Sequence, residues 1–431
     1  MSLEIDTETN PPGSSKFNLS EKSSEPFLQN SSNERIHYLD HIRAIAMLLG
    51  IVLHAAMAYG TGIQEFTLVK DNQHSAFFDV LLIFIHLFRM ALFFLIAGFF
   101  AHLLVNKRGI AAFIKNRCIR ITLPFVIFLP IISVAIGQIF LYVIENASEK
   151  SQILQLMESA LINQADLPIS TSHLWFLYQL IFFCAAAAIL ANLSWPTLSA
   201  IRERAFSSTA LIHWFPLCLI PALQSVSVPI PAPDSLVPQL WSFGFYGIYF
   251  FIGWQFFYHH SFLDIIKPQI PYLVSAVIVG FFVVYLPLLG MVGLPPIDDI
   301  ATLQAAALNP EFSILQLTLA TIEAYLGVYL VFICLYYGKR LLNFQNEFMR
   351  YISDASYWMY LLHLPIVFIF QYLLADLAIN VFIKYLVCVG LTFIVCLLSY
   401  EYLIRYTPIG TMLNGKKTRQ SQQHHDVAFN K

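Results

Sequence analysis

Long apolar runs, broken by short polar stretches, recur from residue 41 to residue 404. A helix needs about 20 predominantly apolar residues to cross the hydrocarbon core of a bilayer. Ten windows approach that length: residues 41–60, 77–104, 121–144, 174–193, 208–224, 240–257, 271–294, 313–337, 353–374 and 386–404. The pattern predicts an all-α integral membrane protein with about ten transmembrane helices. Pro216 and Pro221 interrupt the fifth window, yet membrane helices tolerate such kinks because neighbouring groups take up the freed backbone bonds. Residues 1–34 are rich in Ser, Asn and Glu and carry neither an apolar stretch nor a cleavage-site pattern. They predict a disordered cytoplasmic tail rather than a signal peptide. A second cytoplasmic tail is expected over 406–431, leaving 35–405 as one transmembrane domain. No internal repeat is evident, which weighs against inverted-repeat transporter designs.

Composition agrees with the pattern, since 58% of the 431 residues are hydrophobic and only 12% are charged. Soluble domains carry about 25% charged residues, so this chain lacks the polar groups to cover a water-facing surface. Basic residues orient it. With ten spans and the amino terminus inside, the inner segments hold nineteen Lys and Arg residues and the outer ones only Lys70, Lys150 and Lys384. Arg43 and Arg89 remain within the spans. That asymmetry predicts two cytoplasmic termini. The outer segments are acidic instead, with Glu145, Glu149, Glu158, Asp166, Asp298, Asp299 and Glu311. All six cysteines lie in or beside apolar segments without metal-ligand or disulfide spacing, and read as small core residues.

Ionisable groups at bilayer depth are expensive and mark functional sites. Arg43 and His54 lie eleven residues apart in the first window, an interval that turns a helix roughly 20° past three full turns and advances it ~16 Å. Asp40, Arg43, Met47, Gly50 and His54 therefore share one face and predict one wall of a polar path, notched at Gly50. In the second window Asp79, His86 and Arg89 fall on a similar face, and Glu323 and His363 reach comparable depth in the eighth and ninth. These groups are expected to converge. Plainer alternatives are an Arg89–Glu323 ion pair fixing helix packing, core hydrogen bonds for His86 and His363, and positive-inside anchoring for Arg117 and Arg120. Those two arginines also suit a grip on phosphates. His54 stands apart, because histidine is the usual general base near neutral pH. His37 and His41 have metal-ligand spacing without a further ligand, and His424 and His425 fall in a polar tail; no metal site is expected.

The segments LDHIRAIAMLLGIVLHAAMAY (39–59), FIHLFRMALFFLIAGFF (84–100), RCIR with LPF (117–125), SHLWFL (172–177), RLLNFQ (340–345) and DASYWMYLLHLPI (354–366) resemble the membrane acyltransferase 3 family, most closely its glucan-modifying subgroup. The resemblance spans about residues 35–405. It places the family's Arg-ten residues-His pair on Arg43 and His54 and its Arg-x-x-Arg pair on Arg117 and Arg120. Arg89 is a feature of the glucan-type subgroup. The serine usual in the wider family before the second-helix glycine is replaced by Ala97 before Gly98, so no hydroxyl acts there.

What the resemblance implies is a multipass enzyme of a bacterial inner membrane, embedded in its lipids. Such an enzyme moves a succinyl or acetyl group from a cytoplasmic acyl-CoA to a hydroxyl of a periplasmic or surface glycan, such as an osmoregulated glucan. The catalytic candidates are His54, Arg43, Glu323 and His363; the donor-binding candidates are Arg117, Arg120, Arg89 and His86; His173 and Trp175 are candidates on the acceptor side. Acyl-CoA enters as a co-substrate, with no bound cofactor or metal and no nucleic-acid partner expected. A proton-coupled transporter or flippase of a glycan or acyl carrier is the alternative that the same buried charges allow.

Overall fold

The computed structural model describes residues 37–164, 170–191, 202–259, 261–292, 307–308, 310 and 312–415. The expected tails over 1–34 and beyond residue 415, with His424 and His425, lie outside the described residues, as do Asp166, Asp298, Asp299 and Glu311.

Each of the ten windows carries helix. In chain order these are α1 His37–Ala56, α2 Ala76–Arg117, α3 Leu123–Asn146, α4 Trp175–Leu190, α5 Ala210–Gln224, α6 Leu240–Phe256, α7 Ile270–Val279, α8 Ile314–Leu341, α9 Glu347–Ala375 and α10 Val381–Ser399. Extended backbone pairs only in an isolated bridge between Ser170 and Ser235 among the described residues. Among the described residues, seven helical stretches are long and apolar enough to cross a membrane by length and composition. That number falls below ten for local reasons. The second and third windows join into one helical stretch, Ala76–Asn146, through a π turn at Cys118–Thr122. The two-proline helix α5 has only 15 residues and α6 only 17.

Helix starts follow from capping residues in the sequence. Ser75, Ser313, Asn346 and Asn380 accept backbone N–H bonds from the first turns of α2, α8, α9 and α10, satisfying donors that have no partner within the helix. Within α2 the backbone breaks at Gly109, whose φ of 78° favours a residue without Cβ.

The molecule has a basic end, where Arg43, Arg108, Arg117 and Arg120 lie near one another, and a loop end, at the α1–α2 connection near Ser75. The central helix is α2, which packs on α1, α4, α6 and α8. Its contact with α6 is backbone on backbone, because a Cβ at Gly98 would strike the Phe250 carbonyl and one at Gly253 the Leu95 carbonyl. Close approach through small residues is how membrane helices associate where burial of apolar surface gives no drive. By contrast, α7 and α10 are peripheral and expose Ile278, Val279, Leu386 and Ile394, apolar surface that suits contact with lipid.

At the loop end, charged residues are consumed in structure. Asp79 accepts the backbone N–H groups of Thr61, Gly62 and Ile63 at 2.6, 3.1 and 3.0 Å. Its carboxylate thus folds the α1–α2 connection and does not join His86 and Arg89. Lys384 and Asp71 form an ion pair at 2.8 Å, both almost fully buried, and Lys384 also donates to the Ala375 carbonyl at 2.9 Å. Removing one member of a buried pair strands the other, at a cost of about 3–5 kcal/mol. Lys384→Met is therefore expected to lower the melting temperature in detergent sharply, and Lys384→Met combined with Asp71→Leu to recover much of it. An unchanged melting curve for the single variant would show that the pair contributes little.

At the basic end, Pro408–Asn414, within the expected tail, forms a short helix. Asn414 donates to the Asp354 carbonyl at 2.7 Å, which docks this helix on α9.

Candidate active site

Gly50, midway along α1, leaves a notch that two side chains fill from other helices. A Cβ there would lie 3.1 Å from Nη1 of Arg89 on α2 and 3.7 Å from Nε2 of His363 on α9. One turn further along α1, the His54 ring lies 5.2 Å from the His363 ring, which lies 5.0 Å from the His173 ring. His54 also senses the charges of Arg89 and His86. Five expected site residues, His54, His86, Arg89, His173 and His363, thus meet at one place.

Their hydrogen bonds differ in a way that bears on chemistry. Nδ1 of His363 faces the Tyr360 carbonyl at 2.8 Å and the Met359 carbonyl at 3.1 Å. A carbonyl can only accept, so Nδ1 carries the hydrogen and Nε2 presents a lone pair. That Nε2 is buried without a partner among the described residues. Likewise Nε2 of His173 donates to the Leu361 carbonyl at 3.2 Å, and its Nδ1 is buried and unpartnered. The His54 side chain is partly open and has no hydrogen bond among the described residues, while Gln371 fixes its backbone by donating to the carbonyls of His54 and Ala55 at 2.9 and 3.2 Å. Three imidazoles therefore offer lone pairs around one space.

Arg89 supplies the positive charge. It is 9% exposed, has no carboxylate within ion-pair distance among the described residues, and leaves Nε without a partner. The alternative of an Arg89–Glu323 ion pair is not realised. Glu323, on α8, turns to the connection between α5 and α6, where Oε1 accepts the Ile230 N–H at 3.2 Å. His86 also turns there, its Nε2 donating to the Ile230 carbonyl at 2.7 Å. Both side chains bind backbone that the helical pattern did not bring into view.

Arg43 departs from expectation too. It pairs with Asp40 at 3.2 Å, lies over the Phe100 ring and stands near Arg117 and Arg120. It belongs with the arginines of the basic end, about 16 Å along α1 from His54. Arg117, just before the π turn at Cys118–Thr122, lies over Phe113, and Arg120, within that turn, accepts the Tyr357 hydroxyl on its carbonyl at 2.6 Å. Trp175 is packed on Tyr246 and Phe94 as part of the aromatic core. His41 donates to the Leu342 carbonyl at 2.8 Å, joining the start of α1 to the end of α8. Among the described residues no group of three or more His, Cys, Asp or Glu side chains is placed to hold a metal.

Two participants were missed. Gln371 had a signal in the sequence, a lone amide in an apolar run two turns beyond His363. Ile230 contributes only backbone and had none.

A helical core with an arginine-rich end and an enclosed histidine cluster accords with the comparisons to known proteins. The acyltransferase domain family matches residues 36–401. The chain belongs to this family. It is accordingly a multipass membrane acyltransferase. It is 27% identical over 402 residues to glucans biosynthesis protein C of Salmonella gallinarum (strain 287/91 / NCTC 13346), covering 89% of this chain and 95% of that one. The same identity and coverage hold for glucans biosynthesis protein C of Salmonella paratyphi B and of Salmonella enteritidis PT4. No solved structure matches the chain.

Proposed function

We propose that this acyltransferase takes an acyl group from a coenzyme A thioester at its basic end and delivers it to a sugar hydroxyl of a glycan, of the glucan type, at its loop end. On this reading ten helices cross a bacterial inner membrane and both termini are cytoplasmic, as the distribution of Lys and Arg favours. The observation that carries the proposal is His54: an imidazole with no hydrogen bond among the described residues, beside a buried arginine and reached along α1 from a cluster of arginines.

In the proposed reaction His54 takes the proton of the acceptor hydroxyl. The oxygen attacks the thioester carbonyl carbon, the carbon–sulfur bond breaks, and the departing thiolate recovers the proton from His54. The Nε2 lone pair of His363 accepts a hydrogen bond from a neighbouring hydroxyl of the same sugar, which holds the acceptor in line. Arg43, Arg117 and Arg120 hold the nucleotide phosphates, for which the guanidinium fork is suited. A succinyl donor, carrying a carboxylate, suits Arg89, which has no carboxylate partner among the described residues.

Purified protein in detergent, given succinyl-CoA and a glucan acceptor, is expected to form an acyl ester and release free thiol without any membrane gradient. Vectorial movement of substrate with no covalent product would replace this reading with transport. The basic end has its own test. Arg117→Gln with Arg120→Gln is expected to raise KM for acyl-CoA tenfold or more, as two charge-assisted contacts of roughly 1.5–3 kcal/mol each are weakened. An unchanged KM with lost membrane insertion would make these arginines topological anchors.

A further inference from the structure

The connection between α5 and α6 is irregular backbone, with Val226, Val228 and Ile230 buried at alternate positions. Its middle lies deep. His86 is ten residues into α2 and Glu323 ten residues past the Ser313 cap of α8, so the residue they share sits ~15 Å along both helices from the loop end. Non-helical backbone persists at such depth only where protein encloses it and its polar groups find partners. The sequence Val228-Pro229-Ile230-Pro231 lowers that demand, since neither proline has an N–H. Ile230 is left with one donor and one acceptor, and Glu323 takes the first while His86 takes the second. The roots of the segment are fixed as well: Gln316 donates to the Val226 carbonyl at 2.7 Å and Tyr178 to the Leu236 carbonyl at 2.6 Å. His86 lies one turn before Arg89, which places the gripped peptide against the histidine cluster.

We infer that the segment Val226–Leu236 is a proline-stiffened wall along the α2 and α8 side of the acyl site, and that His86 and Glu323 are positioning residues that hold it by the two backbone groups of Ile230. The inference deepens the proposed function, because it takes the histidine cluster as the place where the thioester reacts. The wall keeps bulk water from the thioester carbonyl, so that the sugar hydroxyl outcompetes hydrolysis.

The test compares free thiol with acylated glucan when purified protein turns over succinyl-CoA, and follows hydrogen exchange of peptides spanning 226–236 without substrate. In the unaltered protein thiol and ester are expected to match. Glu323→Leu and His86→Phe each remove one grip and are expected to raise thiol released per ester formed at least threefold and to speed exchange in that segment. Glu323→Gln, which still presents an acceptor, and His86→Gln, which still presents a donor, are expected to restore both. Pro231→Gly loosens the segment with both side chains intact, so it tests the wall even if the latch variants fail to fold; it too is expected to raise the ratio. If the variants lose transfer while thiol still matches ester and exchange is unchanged, His86 and Glu323 touch the substrate and the inference is overturned. Because exchange is measured without substrate, a wrong assignment of the reaction would leave the exchange result standing, and the two failures are distinguishable.

Discussion

His54→Ala is expected to leave the protein inserted and folded while lowering acyl transfer by about 10²–10⁴-fold, the usual contribution of a positioned proton acceptor. Insertion should not suffer, since the ring makes no hydrogen bond among the described residues that would be lost. The Gln371 amide, which holds this turn of α1, binds the His54 carbonyl and is untouched by the substitution. The measurement pairs immunodetection in the membrane with mass spectrometry of the acylated glucan. Near-normal acylation at normal protein levels would remove His54 from the mechanism. His363→Ala makes a useful companion, because its Nε2 lone pair lies next to the same space.

The second large effect concerns Arg89. A buried guanidinium with no carboxylate partner among the described residues is an uncompensated charge, and bringing a carboxylate to it forms a pair whose loss costs about 3–5 kcal/mol. Arg89→Met is therefore expected to reduce transfer from succinyl-CoA by about 10²–10³-fold relative to acetyl-CoA, taking 1.4 kcal/mol per factor of ten. Direct competition between the two thioesters, with products resolved by mass, measures that ratio. Equal losses for both donors would make Arg89 a general part of the site and remove the case for a dicarboxylic donor.

The site was partly legible because ionisable residues stand out in apolar helices. His54, Arg89 and His363 were visible as costly groups at similar depth, and the structure brings them together around Gly50. Helical periodicity also placed Arg43 and His54 on one face, but a shared face does not bring ends together. Over ~16 Å of α1, Arg43 meets Asp40, Phe100 and the arginines that follow α2, while His54 meets residues of α2 and α9. Likewise, similar depth allowed an Arg89–Glu323 ion pair as an alternative. Depth fixes only the position along a helix, and the direction of the side chain sends Glu323 to Ile230 instead.

By itself the sequence determined where helices form and which end of the molecule is basic, because apolar run length and charge distribution are local properties of the chain. It also marked the histidines and arginines that a bilayer would not hold without a purpose. Only the tertiary structure decided the tautomer of His363, the absence of an acidic partner for Arg89 among the described residues, and the insertion of Val226–Leu236 between helices. Each of these depends on backbone carbonyls and N–H groups brought from far along the chain, and such groups are the same at every residue. The sequence alphabet therefore does not distinguish them, and packing alone chooses which ones meet a side chain.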